Sequence, residues 1–367
     1  MSGDALRLAE VEQTAVRFAA RHIEPVAAEA DHADPAFPTE VFARGLEAGF
    51  DRFILPESAG GHGFAPPELC ALVAALARTC AGHAAVFGIH AAIVAAIHEA
   101  GGDNKATILE QVFSSGRPFA AVIPEPLSPT EFETEVTVDG SLRANGRAGL
   151  AINVAPGGFV VAFAKNEKGA PLAFVAQAGQ DGVACGPAEF ALGLRAMPLA
   201  ELSFANLALP ANQIIAAGDA ATAFYHALLR YVALVVSAAA VGSMHAARKQ
   251  ALSYMAQRYQ GGQMIIDHSH LRNIFGAMTA AEVAAEGAVA RAAERADLFT
   301  ALGGKVFVTD AAARLAADAV QLLGGYGYMR DYGLEKRMRD AAVLALLPIS
   351  NPRAELLLAA LEKETLS

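Results

Sequence analysis

Between Ala319 and Asp340 the chain reads AVQLLGGYGYMRDYGLEKRMRD, and no other stretch constrains its surroundings so tightly. Apolar residues at Val308, Ala312, Leu315, Ala319 and Leu322 recur at spacings of four and three, the stripe of a helix buried on one side. Gly324 and Gly325 stop that helix, because glycine takes a left-handed C-terminal conformation without steric cost. Such a turn leaves backbone amides uncovered, so a flat or anionic ligand can approach where a side chain would block it. Two glycines alone are equally an ordinary helix stop, so the ligand reading rests on the rest of the string.

The chain is 367 residues long, more than one ordinary domain, and its hydrophobic fraction of 54% suits two or three units sharing a large core. No uncharged apolar run of about eighteen residues stands out, so a membrane span is not expected. The N-terminus MSGDALRLAEVEQ is acidic and amphipathic and lacks the basic and apolar regions of a signal peptide, which points to the cytoplasm. Cys70, Cys80 and Cys185 sit among apolar neighbours without metal-ligand spacing, so buried reduced thiols are expected and neither a metal site nor a disulfide frame. Twenty-eight basic against thirty-eight acidic residues give a net charge of −10, which disfavours nucleic acid and anionic membrane as partners.

Taken in order, residues 5–30 carry an apolar helical face that Pro25 stops or bends. A helix ending near Gly49 leads to the turn Gly60–Gly63; GGHG is not a phosphate loop, since no strand precedes it and no Lys-Ser/Thr pair follows. Two alanine-rich helices follow, about 66–81 and 83–100. From Phe119 the periodicity changes to short runs such as ETEVTV, GFVVAFA and PLAFVAQA, several of them alternating, set between Pro, Gly and Asn signals. After Asn212 long amphipathic helices return, roughly 219–258, 267–297 and 303–323. The expected architecture is α+β: an N-terminal all-helical domain (1–117), a middle β-domain (118–213) and a C-terminal helical bundle (214–367).

QLLGGYGYMRDYGLEKRMRDA resembles the flavin-binding signature of the acyl-CoA dehydrogenase family, QxxGGxGY followed by P.ER.xRDA, with Gly333 at the family's proline. The segment PESAGGHG looks like the family's recurrent PEeyGGxG. The resemblance implies a helical domain, a central β-barrel-like domain and a C-terminal four-helix bundle, with FAD between the last two. It also implies an acyl-CoA ligand, α,β-dehydrogenation of its thioester, and assembly into a homo- or hetero-oligomer (dimer or tetramer) with a related chain. That chemistry needs a carboxylate at the substrate's α-carbon, hydrogen bonds to the flavin ring, and glycines or cations for the pyrophosphate.

The chain departs from the family pattern unevenly. The base of the family's YEGT motif falls on Pro348, and the region LLRYVALVVSAAAVG, where some relatives place the glutamate instead, has no acid between Leu228 and Gly242. Glu355 is the nearest downstream carboxylate, on a helix face where a solvated charge is the ordinary state. The ring-binding loop TEPGAGSD reads PEPLSPTE, with Pro124, Leu127 and Pro129 replacing its threonine and two glycines, while Thr130 keeps a hydroxyl. KMWITN reads AGLAIN, so Leu150 replaces the tryptophan and Ile152 the threonine facing flavin N5. By contrast Arg258, Gln321, Gly324 and Gly325 match the contacts that the family lends to a neighbouring subunit's FAD, although Gly261 and Ser269 replace two others. The resemblance therefore implies FAD shared with or held by a partner subunit, and a base-deficient subunit of a heteromeric enzyme. An active enzyme of altered acyl-CoA chemistry (lyase or desulfinase-like) and a flavin-free binding or scaffold homologue are the alternatives.

Overall fold

In the computed structural model, which describes residues 3–366, the first helical stretch passes through its proline. Helix α1 (Gly3–Phe18) runs through a π turn, Ala19–Ile23, into α2 (Glu24–His32), with Pro25 in the first turn of α2. The wider turn re-spaces the hydrogen-bond ladder, so the donor that proline lacks falls where a new helix needs none. Helices α3 (Thr39–Glu47), α4 (Pro66–Ala77), α5 (Ala81–Ala100) and α6 (Lys105–Ser115) complete this segment.

Ten strands follow: β1 (Phe119–Ala121), β2 (Pro126–Ser128), β3 (Glu131–Phe132), β4 (Thr137–Val138), β5 (Arg143–Ile152), β6 (Phe159–Asn166), β7 (Pro171–Gln177), β8 (Val183–Ala188), β9 (Leu199–Ala208) and β10 (Ile214–Ala217). Eight form one sheet in the order β10-β7-β6-β1-β5-β9-β8, with β4 pairing both β5 and β6, while β2 and β3 make a separate hairpin. Strands β6 and β7 read as near-continuous apolar runs because both their faces are covered. Phe159, Val161 and Phe163 face the helical core, whereas Val160, Ala162 and Ala164 face a second core with Phe174 and Phe204, as the two-residue period of a strand requires.

The remaining chain forms α7 (Asp219–Gln257), the small hairpin β11 (Tyr259–Gln260) and β12 (Gln263–Met264), then α8 (Ser269–Arg295), α9 (Leu298–Leu322), α10 (Leu334–Leu344) and α11 (Asn351–Glu364). This order of helices, sheet and helices is the expected α+β class. Helix α7 is the axis of the molecule, packing against α4, α5, α8, α9 and α10. Two glycines permit that closeness: a Cβ on Gly88 would lie 2.3 Å from Val235 Cγ1, and one on Gly242 would lie 2.1 Å from the Ala74 carbonyl. Contrary to the run-length expectation, α5 and α7 are long and apolar enough to cross a membrane by length and composition; 94% of each apolar window is buried inside the protein. Cys185 is a second departure, exposed where a buried thiol was expected.

The charged end of the signature fastens the segments together. Arg339 grips both Asp31 oxygens at 3.1 and 2.5 Å, donates to the Leu192 carbonyl at 2.9 Å, and pairs with Glu335 at 2.7 Å. Asp340 accepts from the Leu194 amide at 2.7 Å and from Lys336 at 2.6 Å, while Arg195 donates to the Asp31 carbonyl at 2.7 Å. Helix α2, the β8–β9 connection and α10 thereby meet in one polar knot. Gly193 lets the connection lie against α10, since a Cβ there would be 2.5 Å from Arg339 backbone atoms. Burial pushes the Asp31 carboxyl up, but the Arg339 hydrogen bond and the charges of Lys336, Arg339 and Arg195 outweigh it and hold the group below 3.8.

A carboxyl depressed in the folded state stabilises above its ordinary pKa and loses that contribution as pH falls through its folded value. Asp31→Asn should therefore destabilise the protein by about 3–5 kcal/mol at neutral pH, as expected when one partner of a buried pair is removed. Urea unfolding should show the gap between wild type and variant narrowing below about pH 4. A gap that widens in acid would contradict this account of the knot.

Candidate functional site

Where α7 and α9 end, the sequence builds a groove. Arg258 follows the last residue of α7, and its own amide donates to the Tyr254 carbonyl while its carbonyl accepts from the Ile265 amide. Helix α9 stops at Leu322, and Gly324 takes φ +56° at the start of a short 3-10 turn. Gly325 has no left-handed φ, so a single glycine does the terminating. The cavity between these ends holds about 390 Å³ and is lined by Arg258, Gln260, His268, Gln321 and Gly324 among others. Three of the five residues expected to touch cofactor thus share one groove, and Gly325 adjoins it. A Cβ at Gly324 or Gly325 would meet nothing within 4 Å, so the turn is open to a ligand. The Arg258 guanidinium and the Gln321 amide are exposed, and neither has a side-chain hydrogen bond or ion pair among the described residues.

Sequence reading missed Gly327. A Cβ there would sit 2.1 Å from the Val320 carbonyl, so this glycine of GGYGY lets the turn fold back on α9, whereas the preceding pair leaves space. Tyr326 then packs between Tyr254, edge-on at 6.1 Å, and Tyr332, tilted at 5.3 Å. Around the groove Tyr259, Tyr326, Tyr328 and Met329 are exposed.

The positions matching the family's own ring contacts form a different environment. Ile152 is 6% exposed, packed in the core with β1 on one side and β9 on the other. Pro124 has no amide hydrogen, and its carbonyl already accepts from the Tyr225 hydroxyl at 2.8 Å. Tyr225 is 1% exposed, its ring against Phe132 and Phe163 at 5.0 and 5.5 Å. Burial pushes its phenol far up, as suits a permanently neutral donor. Thr130 is exposed in the β2–β3 turn, where its hydroxyl lies 3.4 Å from that of Ser128, and it does not line the Arg258 groove. Leu127 and Leu150 are exposed. Arg353 of α11 pairs with Glu125 at 3.0 Å, tying the last helix to this hairpin.

Pro348, where the resemblance would put the family's base, is buried between α10 and α11, and Glu355 is an exposed charge on α11. Beneath this turn lies a group that sequence reading did not single out. Lys305 of α9, fully buried, donates to the Ala345 carbonyl at 2.8 Å, the Ile349 carbonyl at 2.7 Å and Asn351 Oδ1 at 2.6 Å. Asn351 in turn donates to Thr309 Oγ1 at 3.0 Å and Asp310 Oδ1 at 2.8 Å. Burial lowers the Lys305 amine to about 7, opposed by the charge of Asp310, and the three acceptors match the three hydrogens of an ammonium. Its place is structural: it replaces the missing partners of the α10 C-terminus. Lys305→Met should leave the Ile349 carbonyl without its donor, the Ala345 carbonyl keeping the Asn351 amide at 3.2 Å, and cost on the order of 1–3 kcal/mol. Hydrogen exchange should locate the loss at residues 343–351; unchanged protection there would contradict the assignment.

Comparison with known proteins bears on the family and the fold. The family model described as "Acyl-CoA dehydrogenase, C-terminal domain" matches residues 223–347, and that for the N-terminal domain matches residues 8–115. "Probable acyl-CoA dehydrogenase fadE25" of Mycobacterium leprae is 28% identical over 365 residues, covering 93% of this chain and 92% of that one. "Acryloyl-CoA reductase (NADH)" of Anaerotignum propionicum is 28% identical over 356 residues, covering 91% and 88%. The solved structure of butyryl-CoA dehydrogenase from Megasphaera elsdenii shares the fold, with a TM-score of 0.88 at 23% identity over 97% of this chain and 98% of that one. The two family models together span more than half of the sequence, and the chain belongs to the acyl-CoA dehydrogenase family.

Proposed function

We propose that this chain is a base-deficient subunit of a heteromeric FAD-dependent acyl-CoA dehydrogenase, and that its Arg258 groove completes a FAD site whose ring is held by a partner chain. The observation that carries the reading is the contrast between two places. At the groove a guanidinium and an amide stand without side-chain partners among the described residues, beside an uncovered glycine turn, a donor set suited to a pyrophosphate. At the ring positions Ile152 offers no polar atom, Pro124 offers no donor, and its carbonyl is taken by Tyr225. The first set fits FAD and the second does not.

In the assembled enzyme, bound FAD would accept the hydride from an acyl-CoA thioester in the partner's site. This chain's part is electrostatic: Arg258 meets negative charge, Gln321 donates, and the Gly324–Gly325 backbone allows close approach. No base is contributed, since Pro348 carries no ionisable group and Glu355 stands in solvent. The exposed aromatic residues around the groove supply the apolar surface that a subunit contact needs.

Arg258→Ala should reduce flavin retention in the assembled complex about tenfold or more, the value of a charge-assisted hydrogen bond, while leaving the thermal transition of this chain unchanged. Ile152→Thr should leave flavin content unaltered. Flavin content indifferent to Arg258 but raised by Ile152→Thr would mean that the chain holds its own cofactor and would favour the altered-chemistry enzyme instead.

A further inference from the structure

A second cavity, beside the C-terminal half of α7, concentrates cations in a chain whose net charge is −10. It holds about 550 Å³ between α1, the α4–α5 turn and α7, and Arg78, Thr79, His245, Lys249 and Ser253 line it. It shares no residue with the Arg258 groove.

Each lining group is held in a way that leaves binding capacity toward the cavity. His245 Nδ1 lies 2.9 Å from Glu282 Oε1, and Glu282 is almost fully buried, so one ring nitrogen is fixed and Nε2 has no partner among the described residues. Arg248 engages both oxygens of the same carboxylate. Arg78 pairs with Glu12 through Nη1 at 2.6 Å, while its Nε is buried without an acceptor, and Arg337 donates to the Arg78 carbonyl at 2.8 Å from beneath. Lys249 is exposed and has no hydrogen-bond or ion-pair partner among the described residues, nor has the Thr79 hydroxyl, while Ser253 Oγ accepts from Gln257 Nε2 at 3.1 Å and keeps its own hydrogen to donate.

These features decide the sign of the ligand. His245, Glu282 and Glu286 bring possible metal-ligating atoms within 4.8 Å of one another, but the Arg248 guanidinium already balances Glu282 and would repel a metal cation. Glu12 is likewise balanced by Arg78, which leaves Lys249 uncompensated, with Arg17 on the adjoining face of α1 held only by the Thr14 hydroxyl at 3.4 Å. We infer that this cavity binds a phosphate-class dianion, Lys249 supplying the uncompensated charge and the Arg78 guanidinium and the Thr79 and Ser253 hydroxyls supplying donors. The inference is independent of the flavin reading, since none of these residues enters it.

Isothermal titration of the full-length chain with inorganic phosphate, and separately with adenosine 3′,5′-bisphosphate, tests this. Saturable binding should weaken about tenfold in Lys249→Gln and vanish in Lys249→Glu, with Lys168→Gln, an exposed lysine of the β6–β7 turn, behaving as wild type. Because Lys249 is exposed and unpartnered, its variants should melt as wild type does. Tighter binding of the bisphosphate than of phosphate would support the inference with a nucleotide-type ligand, and equal affinities would support it with the free anion. Absence of saturable binding by both probes, an affinity unchanged in Lys249→Glu, or an equal loss in Lys168→Gln would overturn it.

Discussion

The carboxylate of Asp31 and the guanidinium of Arg339 lie 308 residues apart in sequence and meet in two hydrogen bonds, and the mutual placement of the three segments depends on that meeting. Asp340 completes the knot by holding the Leu194 amide, so α10 is fixed at once to the first helices and to the sheet. The bulk of stability comes from apolar burial along α5 and α7, where area removed from water contributes about 25 cal/mol per Å². A non-directional force of that kind holds helices together without choosing their register. The polar knot is directional: it is costly to leave half-made, and so it selects one arrangement.

That arrangement has a functional consequence at the far end of α10. With α10 held at the knot and Lys305 gripping the turn that follows it, the ends of α7 and α9 are left side by side and unfilled. The same packing draws α11 and the β2–β3 hairpin together through Arg353 and Glu125, and α7 against the hairpin through Tyr225. One fold therefore carries an open groove at the ends of α7 and α9 and a filled environment around Pro124 and Ile152. On the proposed reading, the proline at 348, the donor-poor positions 124 and 152 and the open groove belong together: the chain lacks what a subunit needs for its own chemistry and keeps what it can lend.

Much of the fold was legible because its signals are local. The period of α9, the short apolar runs of β6 and β7 and the glycine stop after Leu322 each lie within about twenty residues, and the family resemblance ordered them. What sequence reading could not supply is long-range or three-dimensional. The RMRD run reads as part of a flavin signature, yet Arg339 and Asp340 are spent on the knot, because their partners lie in α2 and before β9. Lys305 looks like an ordinary helix lysine until three acceptors from beyond residue 344 close around it. Pro25 announces a break, but a π turn absorbs it. Thr130, given by the resemblance to the ring-binding loop and counted with the groove residues only as a cofactor contact, lies in the separate β2–β3 hairpin.

The central claim is that the groove and the ring site have been divided between two chains. Its most direct measurement is the visible flavin absorbance of this chain purified alone, compared with the same chain co-expressed with a related acyl-CoA dehydrogenase chain carrying the catalytic glutamate. The account predicts that the isolated protein is folded and colourless, and that the co-purified complex contains FAD in a ratio of one per pair of unlike chains. Stoichiometric FAD in the isolated chain, with turnover of an acyl-CoA thioester by that protein alone, would contradict it.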